Sequence, residues 1–201
     1  MINLHRKTLV LLHGHGMDDT IWDAVNASLS EYYTIIRPNI SLFTFCHTIE
    51  EYADELYRYL TNANIHKCVF IGHSMGGYIG LAFAEKYPDM LEGFGLFHST
   101  AFADDDTKKH QRDQSVNLLG QYGSAMYVKN TSGNLFGDRF KELYPNKVKD
   151  FIEKYSKLPA ESLATGMAAM RDRPDRTGIL TSMPYPVLFI IGMQDKLIPF
   201  E

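Results

Sequence analysis

The sequence predicts an α/β protein with a doubly wound, mostly parallel sheet, and three observations carry this prediction. Short apolar runs alternate with amphipathic helical patterns, which is the order of strand–helix–strand units. Most of these runs are continuously apolar, as expected of strands covered by helices on both faces. The 201 residues are enough for one sizeable core, and their 45% hydrophobic and 22% charged content is typical of a globular domain.

Each element follows from its local pattern. Apolar runs predict five strands, at residues 8–12, 33–36, 68–71, 93–97 and 187–191. Apolar residues at intervals of three and four predict the helices between them, the first of which carries Trp22, Val25 and Leu29. Thr48 and Glu51 read as a capping box at the start of the second helix. The third helix should run over residues 75–86 and end before Pro88.

Residues 99–183 contain helical stripes and no predicted strand. An insertion of about 80 residues is too long for a connecting loop, so it predicts a helical cap. The chain then divides into a core over residues 1–98, the cap over 99–183, and a second piece of core over 184–201. Several cap side chains are expected either to line an apolar pocket or to pack the cap on the core: Met126, Tyr127, Phe136, Phe140, Met167 and Met170.

The sequence Gly72-His73-Ser74-Met75-Gly76 follows a predicted buried strand and precedes a predicted helix. A G-x-S-x-G sequence in this setting is the tight turn that exposes a nucleophilic serine. The small residues on either side let the backbone close, and the helix N-terminus favours developing negative charge. We therefore predict that Ser74 is the nucleophile and that the Met75 N–H is one oxyanion donor.

The second oxyanion donor is predicted at His15, in the sequence His13-Gly14-His15-Gly16 after the first strand. Acyl-transfer sites of this type take one N–H from a loop beside the nucleophile strand. The histidines lack companion ligands for a metal, and residue 19 is Asp where a dinucleotide fingerprint needs a third glycine. No metal site is predicted, and adjacent Asp104, Asp105 and Asp106 are expected to be solvated.

Asp195 lies in the loop after the last predicted strand. It follows Ser74 across the cap, in the chain order in which an acid follows the nucleophile and precedes the histidine of a catalytic triad. An ordinary turn or helix cap is the alternative role for a single aspartate in such a loop. The chain order favours Asp195 as the catalytic acid.

The HGHG turn, the GHSMGG elbow, the helical insertion and the segment from Ala168 to Pro199 together resemble the α/β-hydrolase superfamily. The pattern of residues 170–175 with Gly192-x-x-Asp195 is similar to its small carboxylesterase and enol-lactonase-like members. The resemblance covers almost the whole chain and implies hydrolysis of a small carboxylic ester or lactone through an acyl-enzyme on Ser74, with no cofactor. Hydrolysis of C–C bonds, acyl transfer and non-catalytic binding of small molecules use the same fold and stay open.

The resemblance also implies a histidine beyond Asp195, and none follows it in the 201 residues. We therefore expect the chain to continue past Glu201 with a further strand and helix, without which strand 187–191 is an unprotected edge. His98 ends the strand beside the nucleophile strand and is expected to line the substrate pocket rather than act as the base. His73 is expected to point away from Ser74.

Composition excludes several classes of partner. The formal net charge is −4 and no basic cluster is present, so nucleic acid is not an expected partner. No apolar run approaches the length that crosses a bilayer, the N-terminus does not read as a signal peptide, and a cytoplasmic protein is expected. Cys46 and Cys68 are far apart and predict neither a disulfide framework nor a zinc site.

Overall fold

The computed structural model describes residues 6–198, and its centre is a five-stranded sheet in which every neighbouring pair of strands is parallel. The strands lie in the order β2-β1-β3-β4-β5. Their bounds are Thr8–Leu12 for β1, Thr34–Ile36 for β2, Cys68–His73 for β3, Leu91–Phe97 for β4 and Val187–Ile190 for β5. Strand β3 lies beside β4 and β4 lies beside β5, so the carboxyl ends of these three strands form one continuous edge.

Eight α-helices lie within the described residues. Three of them alternate with the first four strands: α1 (Asp23–Ser30), α2 (Ile49–Asn62) and α3 (Met75–Lys86). The other five lie between β4 and β5: α4 (Asp106–Thr131), α5 (Asp138–Leu143), α6 (Pro145–Tyr155), α7 (Ala160–Asp172) and α8 (Thr177–Ser182). None of the eight is both long and apolar enough to cross a membrane.

The alternating side chains of β1 show that both faces of the sheet are covered. Val10 and Leu12 belong to the main core cluster, which also holds the buried residues of α2 and α3. Leu9 and Leu11 belong to a second cluster with Trp22 on the other face. The four apolar side chains of β1 are therefore all buried, as the sequence predicts.

The capping box of α2 is confirmed in both directions. Thr48 Oγ1 accepts a hydrogen bond from the Glu51 N–H at 3.2 Å, and Glu51 Oε2 accepts one from the Thr48 N–H at 3.2 Å. Helix α3 covers the predicted residues 75–86, and a 3-10 turn starting at Pro88 follows it.

Strand β5 is the exposed edge that the sequence analysis describes for strand 187–191, whereas most other strands are covered on both faces. Leu188, Phe189 and Ile190 are 50%, 51% and 43% exposed. The reason is position, because β5 is at the edge of the sheet and within residues 6–198 pairs only with β4. Pro199 and Glu201, which the sequence analysis mentions, lie outside the described residues.

Helix α4 is interrupted at Gly123, whose φ of 73° is outside the helical region. Glycine adopts this backbone conformation without the steric cost that a Cβ would bring. The two parts of α4 therefore take different directions, and α4 packs along α7. The two helices form the wall opposite the carboxyl ends of the strands, and residues of both line the main cavity.

Candidate active site

Ser74 occupies a strained turn between β3 and α3, with φ of 51° and ψ of −118°. Serine rarely adopts a positive φ, and the conformation persists because the surrounding contacts leave little room for another. A Cβ on Gly72 would lie 2.3 Å from Gly76 O, and one on Gly76 would lie 2.5 Å from Leu12 O. Both approaches are to backbone atoms, so the turn requires glycine on both sides of the serine.

The loop after β1 lies directly against the serine turn. A Cβ on Gly14 would be 2.9 Å from His73 Nδ1 and 3.0 Å from Ser74 Cβ. The next residue, His15, belongs to this loop, and Met75 is the first residue of α3. Helices leave their first N–H groups without internal partners. Within residues 6–198, neither the His15 N–H nor the Met75 N–H donates a backbone hydrogen bond.

His98 and Asp195 form a direct contact. His98 follows β4 with a φ of 47°, and its Nδ1 lies 2.5 Å from Asp195 Oδ2. The other carboxylate oxygen of Asp195 accepts hydrogen bonds from the N–H groups of Leu197 at 2.8 Å and Ile198 at 2.9 Å. A Cβ on Gly192 would lie 2.8 Å from His98 Cε1, so the loop after β5 closes over the ring.

The charge state of this pair follows from its hydrogen bonds. Burial alone would raise the pKa of Asp195, but bonds from the Ile198 N–H, the His98 ring and the Leu197 N–H outweigh it and hold the pKa below its ordinary value. An ionised carboxylate only accepts hydrogen bonds, so Nδ1 of His98 carries the proton. The other ring nitrogen, Nε2, is then the basic one in the neutral imidazole.

The structure thus brings Asp195 to a histidine within the chain, whereas the sequence analysis expected a partner beyond residue 201. His98 also lines the main cavity, as expected. The contact arises because β4 and β5 are neighbours in the sheet, so the residues that follow their carboxyl ends meet. Ser74 lines the same cavity, and no hydrogen bond joins its Oγ to His98.

That cavity has a volume of about 810 Å³ and lies between the carboxyl ends of the strands and helices α4 and α7. Four of the six cap side chains named in the sequence analysis line it: Tyr127, Phe136, Met167 and Met170. The other two do not. Met126 is 43% exposed, and Phe140 stacks on Phe136 with ring centroids 5.4 Å apart.

Three further histidines near Ser74 are buried in ways that favour their neutral form. Burial lowers the pKa of His15 to about 4 and that of His73 to about 4, and it lowers the pKa of His13 as well. The His13 ring accepts a hydrogen bond from the Ile40 N–H at 2.9 Å, and the His15 ring donates one to Leu163 O at 2.7 Å. The rings of His13 and His15 therefore hold the loop after β1, and all three histidine rings carry no charge at neutral pH.

His73 was expected to point away from Ser74, and its ring does pack between those of Trp22 and Phe97, with centroids 6.5 and 5.4 Å away. It nevertheless lies beside the site. Its ring centroid is 6.2 Å from that of His98, and His73 is among the residues lining the cavity.

The expectation that all three adjacent aspartates are solvated is wrong for Asp104, which is 4% exposed. Its Oδ2 accepts a hydrogen bond from Arg112 Nε at 2.5 Å, and its Oδ1 lies 2.8 Å from Arg173 Nη2. The second contact is an ion pair without good hydrogen-bond alignment. Arg112 lies about two turns along α4 and Arg173 directly follows α7, so tertiary packing supplies the partners that make burial possible.

Arg112 is the cavity residue that the sequence analysis missed. Its side chain is 19% exposed and lines the same cavity as Ser74. An arginine in a polar helix normally points to solvent, and no local sequence pattern distinguishes this one. Among residues 6–198, no group of three or more His, Cys, Asp or Glu side chains could hold a metal ion.

Comparisons with known proteins agree with this geometry. Residues 9–201 match the model of the Alpha/beta hydrolase family. The putative carbamate hydrolase RutD of Pantoea ananatis is 26% identical over 208 residues, which cover 99% of this chain and 75% of that protein. The pimeloyl-[acyl-carrier protein] methyl ester esterase of Aliivibrio fischeri is 26% identical over 207 residues, which cover 96% and 77%.

Solved structures give the same result. The thermophilic esterase from Thermogutta terrifontis, with malate bound, superposes with a TM-score of 0.88 at 27% identity, covering 96% of this chain and 74% of that one. The enol-lactonase from Burkholderia xenovorans LB400 shares the fold with a TM-score of 0.82 at 20% identity, covering 96% and 75%. With the parallel sheet and the strained serine turn, these matches show that the chain belongs to the alpha/beta hydrolase family.

Proposed function

We propose that this protein is a serine hydrolase that cleaves a carboxylic ester or lactone through an acyl-enzyme on Ser74. One observation carries the proposal: Ser74, on its strained turn, lines the same cavity as a histidine whose Nδ1 is held by Asp195. A nucleophile, a base and a group that orients the base are the three parts of a serine hydrolase site. The similarity to a methyl ester esterase and to an enol-lactonase supports an ester or lactone as the substrate class.

In the proposed reaction, Ser74 Oγ attacks the carbonyl carbon while His98 Nε2 accepts the hydroxyl proton. Asp195 keeps Nδ1 protonated and stabilises the imidazolium that forms. The N–H groups of His15 and Met75 stabilise the negative oxygen of the tetrahedral intermediate, an effect worth about 100- to 1,000-fold per donor in related chemistry. The alcohol leaves with the proton from His98, and water then releases the acid by the same steps in reverse.

Because His98 and Ser74 are not hydrogen-bonded, the base must approach the nucleophile when substrate binds. Catalytic hydrogen bonds are often long before substrate is present and tighten in the complex. The prediction of a base beyond residue 201 stays open beside this one. The two histidines would compete for one carboxylate, since His98 already contacts Asp195 Oδ2.

The test is hydrolysis of p-nitrophenyl acetate and butyrate by the unmodified chain and by Ser74→Ala. We expect kcat of the variant to fall about 1,000-fold or more. The activity that remains would come from substrate binding and the oxyanion donors. Covalent labelling by a fluorophosphonate, measured as an increase in the intact mass of the protein, should be absent from the Ser74→Ala variant. Equal hydrolysis by the two proteins would refute the proposal with His98 as the base, and it would favour either a base beyond residue 201 or a non-catalytic binding protein.

A second set of variants identifies the base. If His98 is the base, both His98→Gln and Asp195→Asn lose most of the activity, whereas His66→Ala, which changes an exposed histidine, does not. If Asp195→Asn loses its activity while His98→Gln keeps full activity, the base is another histidine.

A further inference from the structure

The side chains that line the cavity of Ser74 carry a surplus of positive charge. Three cationic side chains line the cavity, Lys108, Arg112 and Lys196, against one carboxylate, Asp195. That carboxylate already contacts His98. The surplus is local, because the whole chain has a formal net charge of −4.

Arg112 is held in place among these cations by an ion pair with Asp104. Its Nε donates to Asp104 at 2.5 Å, but the neighbours of its Nη1 are the sulfur atoms of Met167 at 3.3 Å and Met170 at 3.6 Å. Thioether sulfur is a weak acceptor. A guanidinium has five N–H donors in a rigid fork, and the neutral hydroxyl of Tyr78 is a further hydrogen-bond partner of Arg112. Among residues 6–198, Asp104 is the one carboxylate that pairs with Arg112.

Asp104 does not neutralise this charge, because it also pairs with Arg173 at 2.8 Å. The two arginines and one carboxylate together carry a net charge of +1. Arg173 is closed off, with its side chain 4% exposed and its donors directed to Met170 O and Phe102 O. Arg112, at 19%, is the arginine of the pair that a ligand in the cavity can reach.

The field of Arg112 extends to the oxyanion side of the cavity. Burial is the main cause of the lowered pKa of His15, and the positive charge of Arg112 contributes to it. Tyr78, one turn along α3 from Ser74, also lines the cavity. Ser74, Tyr78 and Arg112 thus line one cavity, which an acyl group on Ser74 would share with the cation.

We propose that Arg112 binds a carboxylate on the substrate, so that the preferred substrates are esters or lactones that carry a second, free carboxyl group. This inference rests on the proposed function of Ser74. The planar fork of a guanidinium matches the two oxygens of a carboxylate, and such charge-assisted hydrogen bonds are about twice as strong as neutral ones. The Arg112 charge also favours the anionic ester over a neutral one of equal length.

The test compares two esters of equal length, mono-p-nitrophenyl glutarate and p-nitrophenyl valerate, in which a methyl group replaces the free carboxylate. We expect the ratio of kcat/KM for the anionic ester to that for the neutral one to fall about 10- to 100-fold in Arg112→Met, the loss expected for a charge-assisted hydrogen bond. The matched control is Lys109→Met, which removes the same charge from an exposed position of α4 and should keep the ratio unchanged.

Because Arg112 also pairs with a buried carboxylate, a second variant guards against misfolding. Arg112→Lys keeps the charge but lacks the fork. Its ratio of kcat/KM for the two esters should therefore lie between that of the unmodified protein and that of Arg112→Met. A ratio that is the same in all four proteins, measured on samples with equal far-UV circular dichroism, would overturn the inference.

Binding to the Ser74→Ala variant separates this inference from the proposed function, since it needs no catalysis. Titration calorimetry should show glutarate binding that is weakened about 10-fold or more by adding Arg112→Met. If Ser74→Ala leaves hydrolysis unchanged while glutarate still binds through Arg112, the proposed function fails and the anion site stands. Binding of inorganic phosphate but not glutarate at Arg112 would overturn the assignment to a carboxylate.

Discussion

Replacing Asp104 by Asn should strongly destabilise the protein. The side chains of Asp104 and Arg173 are 1% and 4% exposed, and that of Arg112 is 19% exposed. Asn has nearly the same shape but no charge, so the variant would bury two guanidinium groups without a counter-charge. Removing one partner of a buried ion pair costs about 3–5 kcal/mol in the free energy of unfolding. For a chain of this size this lowers Tm by about 6–20 °C.

The measurement is urea denaturation at pH 7 followed by circular dichroism, with Asp106→Asn as the control. Asp106 is exposed, so its variant loses the same charge two positions away without uncovering a buried cation. We expect that variant to stay within about 0.5 kcal/mol of the unmodified protein. An Asp104→Asn variant as stable as the control would refute the argument that Asp104 supplies a needed counter-charge to Arg112 and Arg173.

The pH dependence of stability tests the same interaction, because its direction follows from the pKa of Asp104. Burial alone would raise the pKa of Asp104, but hydrogen bonds and charges of Arg112 and Arg173 outweigh it and hold the pKa below its ordinary value. A group with a lowered folded pKa stabilises the protein above its unfolded pKa, about 3.9 for aspartate, and loses that contribution as pH falls through the folded pKa. The stability difference between the unmodified protein and Asp104→Asn should therefore be full at pH 7 and narrow below about pH 4.

Two further predictions concern local geometry. In Gly72→Ala the new Cβ would lie 2.3 Å from Gly76 O, a backbone atom that cannot move without opening the serine turn. We therefore expect thermal denaturation to show a loss of stability of about 1–3 kcal/mol or more. The variant should also lose esterase activity. In Thr48→Ala the capping bond to the Glu51 N–H is removed, and unfolding in urea should show a loss of about 1 kcal/mol. Thr61→Ala, in the last turn of the same helix, is the control and should change stability by less than half as much.

Much of the fold and the strained turn at Ser74 could be predicted from the sequence, because both depend largely on local patterns. Helix α3 has the predicted bounds, and the capping box of α2 forms as its spacing requires. The steric demand at Gly72 comes from Gly76 within the same turn, so the order Gly72-x-Ser74-x-Gly76 contains it, whereas the demand at Gly76 comes from Leu12 of the neighbouring strand. Apolar periodicity likewise predicts which region holds strands and which holds helices.

Only the tertiary structure decided which charged groups meet. His98 and Asp195 are 97 positions apart, and they touch because β4 and β5 are neighbours in the sheet and both end at the same edge. The burial of Asp104 and the position of Arg112 depend on how α4 packs along α7, which local spacing does not encode. Sequence patterns describe the surroundings of a residue over a few positions, whereas the pairing of charges is set by contacts between elements that are distant in the chain.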